Sequence, residues 1–194
     1  DLARGEALLV FGAGDAVENL DVATLEEKIA AIEAVERLRR RNAGSALDLA
    51  ASAYVVERGS GKTILAGYPW FTDWGRDTFI SLRGLCLATG RLKEARRVLL
   101  QWSGSVSHGM LPNRFTDDGE TPDFNSVDAS LWFIVAVHDL RVAEKAVGYH
   151  ASTVEEWQLD AAILAILRGY TAGTRHGIRM DGDYLLAAGE PGVQ

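Results

Sequence analysis

The chain has a single cysteine, Cys86, among 194 residues. That excludes an intrachain disulfide, a CxxC redox pair and a thiolate metal cluster, each of which needs at least one more thiol. Cys86 falls inside an apolar helical pattern, which assigns it to the core. No run approaches the roughly 18 uncharged apolar residues of a membrane span. The opening DLARGEALLVFGAGD lacks both the basic start and the cleavage pattern of a signal peptide, so the expected compartment is the cytoplasm. Positive charge is also scarce: 20 Lys and Arg stand against 27 Asp and Glu, a formal net charge of -7. Because binding to a phosphate backbone rests on Lys and Arg, nucleic acid is not an expected partner, and neither is a membrane. The His, Asp and Glu residues form no cluster with metal-ligand spacing, so neither metal nor cofactor is expected. Neither GxSxG nor GxxxxGK[ST] occurs, and the GSGK loop at 59–62 resembles a phosphate loop only superficially.

What is present reads as helix. Residues 1–20, with the apolar ALLVFGAG, read as a remnant of, or linker from, a preceding domain, and residues 21–194 as one domain. From Thr24, TLEEKIAAIEAVERLRRR places Leu25, Ile29, Ile32, Val35 and Leu38 on one stripe, with Thr24 and Glu27 spaced as a capping box. The run ALDLAASAYVVER predicts a second helix that stops at GSGK. RDTFISLRGLCLATG predicts a helix apolar almost all round and ending at Gly90, whereas LKEARRVLLQWSGSVS is charged and amphipathic. The same alternation returns in VDASLWFIVAVHDL and STVEEWQLDAAILAILRGY, the latter opening with a second capping box, Thr153 to Glu156. Inner helices thus alternate with outer ones. Two polar loops, HGMLPNRFTDDGETPDFNS and the hairpin-like RHGIRMDGDYLLAAGEPG, are where a site would lie on such a scaffold.

Two stretches carry candidate chemistry. In GYPWFTDWGRDT, residues 67–78, the rings of Trp70, Phe71 and Trp74 are either core or a platform for stacking a sugar. They alternate with Asp73, Arg76 and Asp77, whose burial is expensive unless each finds a partner. Aromatic faces with fixed polar groups suit a pyranose, which has apolar C–H faces and a rim of hydroxyls. A structural ion pair, or an aspartate at a helix N-terminus, accounts for Arg76 and Asp77 equally well. In DFNSVDASLWF, residues 123–133, Asp128 enters an apolar helix one turn ahead of Trp132. It is either a helix-start charge or an acid facing an apolar cavity, which would raise its pKa as glycosidic cleavage requires. Asp117, Asp118, Glu120 and Asp123 read as solvated loop charges, and His108 as either a locally bonded side chain or a base.

Together, GYPWFTDWGRDTFISLRGL, TGRLKEARRVLLQWSGSVSHGMLPNRF and DFNSVDASLWFIVAVHD resemble the glucosidase domain of glycogen debranching enzymes over most of residues 45–194. The resemblance implies an all-α fold, the (α/α)6 toroid of six-hairpin glycosidases, in which inner and outer helices alternate around a pocket. It implies removal of the α-1,6-linked glucose stub at a glycogen branch by inversion, with glycogen or another branched α-glucan as partner. On that pattern Arg76 and Asp77 bind sugar hydroxyls, Trp74 lines the sugar, Asp128 is the general acid and Trp132 shields it. His108, Asn113 and Arg114 would shape the same pocket, to which Trp70 and Asp73 are also assigned. Inversion needs a second carboxylate roughly 6.5–9.5 Å from the acid. The resemblance puts it on a helix beyond residue 194, so the chain is expected to hold about half of the barrel and to self-associate through exposed inner helices. Glu190 is expected to be structural or to contact substrate.

Overall fold

The computed structural model describes residues 22–68, 70–116 and 121–193. The chain forms two compact units, one ending at Ser45 and the other starting at Ala46; the boundary expected after residue 20 falls outside the described residues. In the first unit, helix α1 spans Val22–Asn42. It begins before Thr24, so that residue sits inside the first turn and the expected capping box does not mark the start. Glu33–Arg37, Glu36–Arg39 and Glu36–Arg40 pairs at helical spacing run along it, and Arg39, Arg40 and Arg41 in the last turn complement the helix dipole. Ile32, Val35 and Leu38 of the apolar stripe are exposed.

The second unit opens with a short helix, α2 (Ala46–Ala51), and departs there from expectation. Instead of continuing as helix to Arg58, the chain forms a hairpin of β1 (Val55–Arg58) and β2 (Gly61–Ile64). The register pairs Val55 with Ile64 and Arg58 with Gly61. Adjacent β-branched valines favour the strand, and Gly59, at a φ of 57°, supplies the left-handed turn that a two-residue connection needs. The GSGK segment is thus a hairpin turn and nothing resembling a phosphate cradle.

Helix α3 (Gly75–Leu82) runs on into a π-helical turn, Arg83–Leu87. Helices α4 (Leu92–Ser103), α5 (Ala129–Ala146) and α6 (Thr153–Ala172) follow. A 3-10 turn (Arg175–Gly177) and a second hairpin, β3 (Arg179–Met180) with β4 (Leu186–Ala187), close the described chain, as the RHGIRMDGDYLLAAGEPG segment predicted. α3 packs on α5 and α4 on α6, with α4 also touching α5, so alternate helices are neighbours in space. The core centres on Trp102, Phe79 and Phe133, with Phe79 edge-on to both other rings at 5.1 and 5.4 Å. Cys86 is fully buried with them, as expected, and burial pushes its thiol up to about 12.

Helix α6 starts one residue earlier than its sequence signal. The capping box is Ser152 with Glu155, not Thr153 with Glu156. Glu156 is engaged elsewhere: it accepts from Arg96 at 2.7 Å and from Arg141 at 2.8 Å. Arg96 also forms a bidentate pair with Glu144, both side chains almost wholly buried, so these ions tie α4, α5 and α6 together.

Candidate active site

Two residues far apart in sequence meet at one end of the α3–α5 contact. Arg76, in the first turn of α3, donates from Nε to both oxygens of Asp128 at 2.9 Å, and its terminal nitrogen lies 2.8 Å from Oδ1. Asp128 occupies the N-cap position of α5, yet its carboxylate makes no capping bond. Ser126 takes that task, accepting from the Ala129 N–H at 3.3 Å while donating to Asp128 Oδ1 at 2.9 Å. The carboxylate is therefore aimed away from its own helix and towards Arg76.

Of the two readings of Asp128, the arrangement bears on the one with a raised pKa. Partial burial pushes the Asp128 carboxyl up, but the Arg76 and Ser126 hydrogen bonds outweigh it and hold the group below the ordinary carboxylate range. Asp128 is ionised in the free chain, rather than neutral as an acid in an apolar cavity would be.

Arg76 and Asp77 line two adjoining concavities. One of about 370 Å³ includes Tyr54, Leu65, Ile80 and Leu85; the other, of about 300 Å³, includes Phe71, Trp74 and Asn113. Trp74 is half-buried, and the Arg114 guanidinium lies 5.6 Å from its ring centroid. Arg114 is in turn paired with Asp123 at 3.0 Å, and backbone bridges link Trp74, Arg114 and Asp123 in one ladder. Asn113 is buried; its side-chain amide donates to Asn125 at 3.1 Å, and its carbonyl accepts from the Gly75 N–H at 2.8 Å. The HGMLPNR loop thereby fixes the start of α3.

Other candidates stand elsewhere. Asp73 has no exposed surface; it accepts from Thr63 at 2.9 Å and pairs with Arg58 at 3.0 Å, so it holds the first hairpin rather than facing the cavities. Trp70 is 83% exposed and Phe71 54%, which places neither in the core. His108, at a φ of 47°, offers its carbonyl to the Thr174 hydroxyl and lines neither cavity. Trp132 sits beneath Arg83, whose guanidinium is 6.0 Å from the ring centroid and pairs with Asp139. Glu190 lies against the bare backbone of Gly177 in the 3-10 turn. Asp117, Asp118 and Glu120 lie outside the described residues. Sequence spacing gave no signal for Ser126 as a partner of Asp128, although a serine just ahead of a helix start is a general mark of capping. Among the described residues no group of His, Cys, Asp and Glu is placed to hold a metal ion, and no helix is long and apolar enough to cross a membrane.

Both the WGRD turn and the NSVDASLW segment fall inside residues 49–194, the stretch that matches the amylo-alpha-1,6-glucosidase family. The chain belongs to that family. A glycogen debranching enzyme of Saccharomyces cerevisiae is 43% identical over 82 residues, which cover 40% of this chain and 5% of the yeast protein. The amylo-alpha-1,6-glucosidase segment thus contains the Arg76–Asp128 pair, both cavities and the Trp74–Arg114–Asp123 ladder.

Proposed function

We propose that this chain supplies part of a site that hydrolyses single α-1,6-linked glucose residues of a branched α-glucan, with inversion, within an (α/α)6 barrel. The carrying observation is that Arg76, paired with Asp128, lines one groove with Asp77 and Trp74: fixed donors, an acceptor and an aromatic face, with the Asp128 carboxylate held at the Arg76 fork. Asp128 acts as general acid. In the free chain Arg76 keeps it ionised, so the sugar has to change that balance. Glucose hydroxyls that draw the Arg76 fork onto themselves leave only Ser126 to offset the burial of Asp128, and its pKa climbs towards the range a proton donor needs. Asp77 accepts sugar hydroxyls alongside. Asp77 lines both cavities; the base that inversion requires, on the opposite face of the sugar, is assigned to a further helix of the barrel.

The test is glucose release from a phosphorylase limit dextrin carrying single α-1,6 glucose stubs, by this chain and by a longer protein that contains it. Release by the longer protein, with β-glucose as the first anomer seen by NMR, is the expected result. The ionised state of Asp128 favours one other reading, a glucan-binding module without turnover. Binding without release in both proteins selects that reading, and release from α-1,4 linkages alone points to another α-glucosidase.

A further inference from the structure

The backbone just ahead of Asp128 is held by a residue forty-odd positions away. Val127 precedes the N-cap of α5, so its carbonyl has no place in the helical ladder and needs another donor. Tyr170, near the end of α6 and only 4% exposed, supplies it: its hydroxyl donates to the Val127 carbonyl at 2.6 Å. Ser130, the second residue of α5, is fully buried, and its Oγ accepts the Leu111 N–H at 2.8 Å, which ties the same turn to the HGMLPNR loop. The start of α5 is thus held from two sides, by Leu111 on Ser130 and by Tyr170 on the Val127 carbonyl.

The end of α6 that carries Tyr170 is itself fixed against the HGMLPNR loop. Gly169 and Gly109 approach so closely that a Cβ on either would stand 2.5 Å from the other's Cα, and Gly109 has a φ of 74°. Beyond the helix, Arg175 donates to the Ser107 carbonyl at 2.6 Å and stacks on Phe124, 4.2 Å from its centroid. One platform therefore holds both the loop bearing Asn113, which lines the groove, and the turn bearing Asp128, which meets Arg76.

We propose that Tyr170 is a positioning residue for Asp128, setting through the Val127 carbonyl the direction in which that carboxylate faces Arg76. The proposal deepens the reading of Asp128 as general acid and rests on it for its meaning in catalysis. It makes no new contact with sugar. The positioning itself is testable without turnover.

The experiment follows the Asp128 carboxyl carbon by NMR across an acid titration in wild type, Tyr170→Phe and Ser130→Ala, with circular dichroism to show that each is folded. Phe keeps the ring and its packing and removes only the hydroxyl. The expected result is an Asp128 titration that moves up in Tyr170→Phe, and less far in Ser130→Ala. An unchanged titration in folded Tyr170→Phe overturns the proposal. Should neither variant fold, exchange of the Tyr170 hydroxyl proton in wild type decides: protection supports the bond to Val127, and rapid exchange overturns it. In the longer protein that releases glucose, Tyr170→Phe should lower kcat about tenfold, the worth of one hydrogen bond, with KM nearly unchanged. If wild type releases no glucose, the hydrolytic reading fails while the titration still decides the positioning.

Discussion

At the scale of single residues, Arg76 governs the state of Asp128, and its removal has consequences of known sign. The Asp128 carboxyl is held below its ordinary value, so the stability it contributes is complete above the ordinary carboxylate pKa and is lost as the pH falls through the lowered one. Wild type should therefore lose stability on acidification below about pH 4, and Arg76→Ala should lose less over that window. Both side chains are about two-fifths exposed, 41% and 40%, so the difference should be about 1 kcal/mol or less in denaturation midpoints taken across that range. Cys86 gives a second expectation. The thiolate is the reactive form, and burial suppresses it, so an alkylating reagent at neutral pH should label the native chain negligibly and the denatured chain fully. Appreciable labelling of folded protein would contradict the core placement. Residue types were legible in the sequence here, but partners were not. Arg76 and Asp128 are 52 positions apart, and no spacing rule connects them. Asp73 shares a motif with Arg76 yet turns to the hairpin, because Arg58 and Thr63, which bind it, come from strands that the helical reading of ALDLAASAYVVER had hidden.

At the scale of elements, the ion cluster of Arg96, Glu144 and Glu156 clamps α4, α5 and α6. Breaking a buried pair from one side leaves an uncompensated charge, so Arg96→Ala should cost about 3–5 kcal/mol in urea denaturation. A loss under about 1 kcal/mol would show that the packing of Trp102 and Leu99 holds these helices without it. Gly169→Ala is the corresponding test of the α6 platform. Its methyl would meet Gly109 backbone at 2.5 Å, and the shift needed to relieve this should destabilise the chain by roughly 1–3 kcal/mol. The long helices of the second unit were legible because their apolar residues recur at helical spacing and burial rewards that pattern, whereas the stripe of α1 has the spacing without the burial. The ends were less so. Ser152 displaced Thr153 as the cap once Glu156 was drawn to Arg96 and Arg141, a competition that involves helices distant in sequence. The first hairpin was missed because Val55 and Val56 continue an apolar pattern that fits either period, and only the pairing with Gly61–Ile64 resolves it.

At the scale of the whole molecule, α3 packs on α5, and α4 on both α5 and α6, so helices adjacent in sequence touch as well as alternate ones. Residues 49–194, all but three positions of the second unit, match the amylo-alpha-1,6-glucosidase family. The central claim is that Asp128 gives the proton that frees the glucose, and this makes substrate binding and turnover separable. The decisive measurement uses the longer protein, as wild type and as Asp128→Asn, with a limit dextrin bearing single α-1,6 glucose stubs. An amide keeps the shape of the side chain and has no acidic proton to give, so Asp128→Asn should bind the dextrin with affinity within a few fold of wild type while glucose release falls by about 100-fold or more. Release at the wild-type rate by Asp128→Asn would contradict the account.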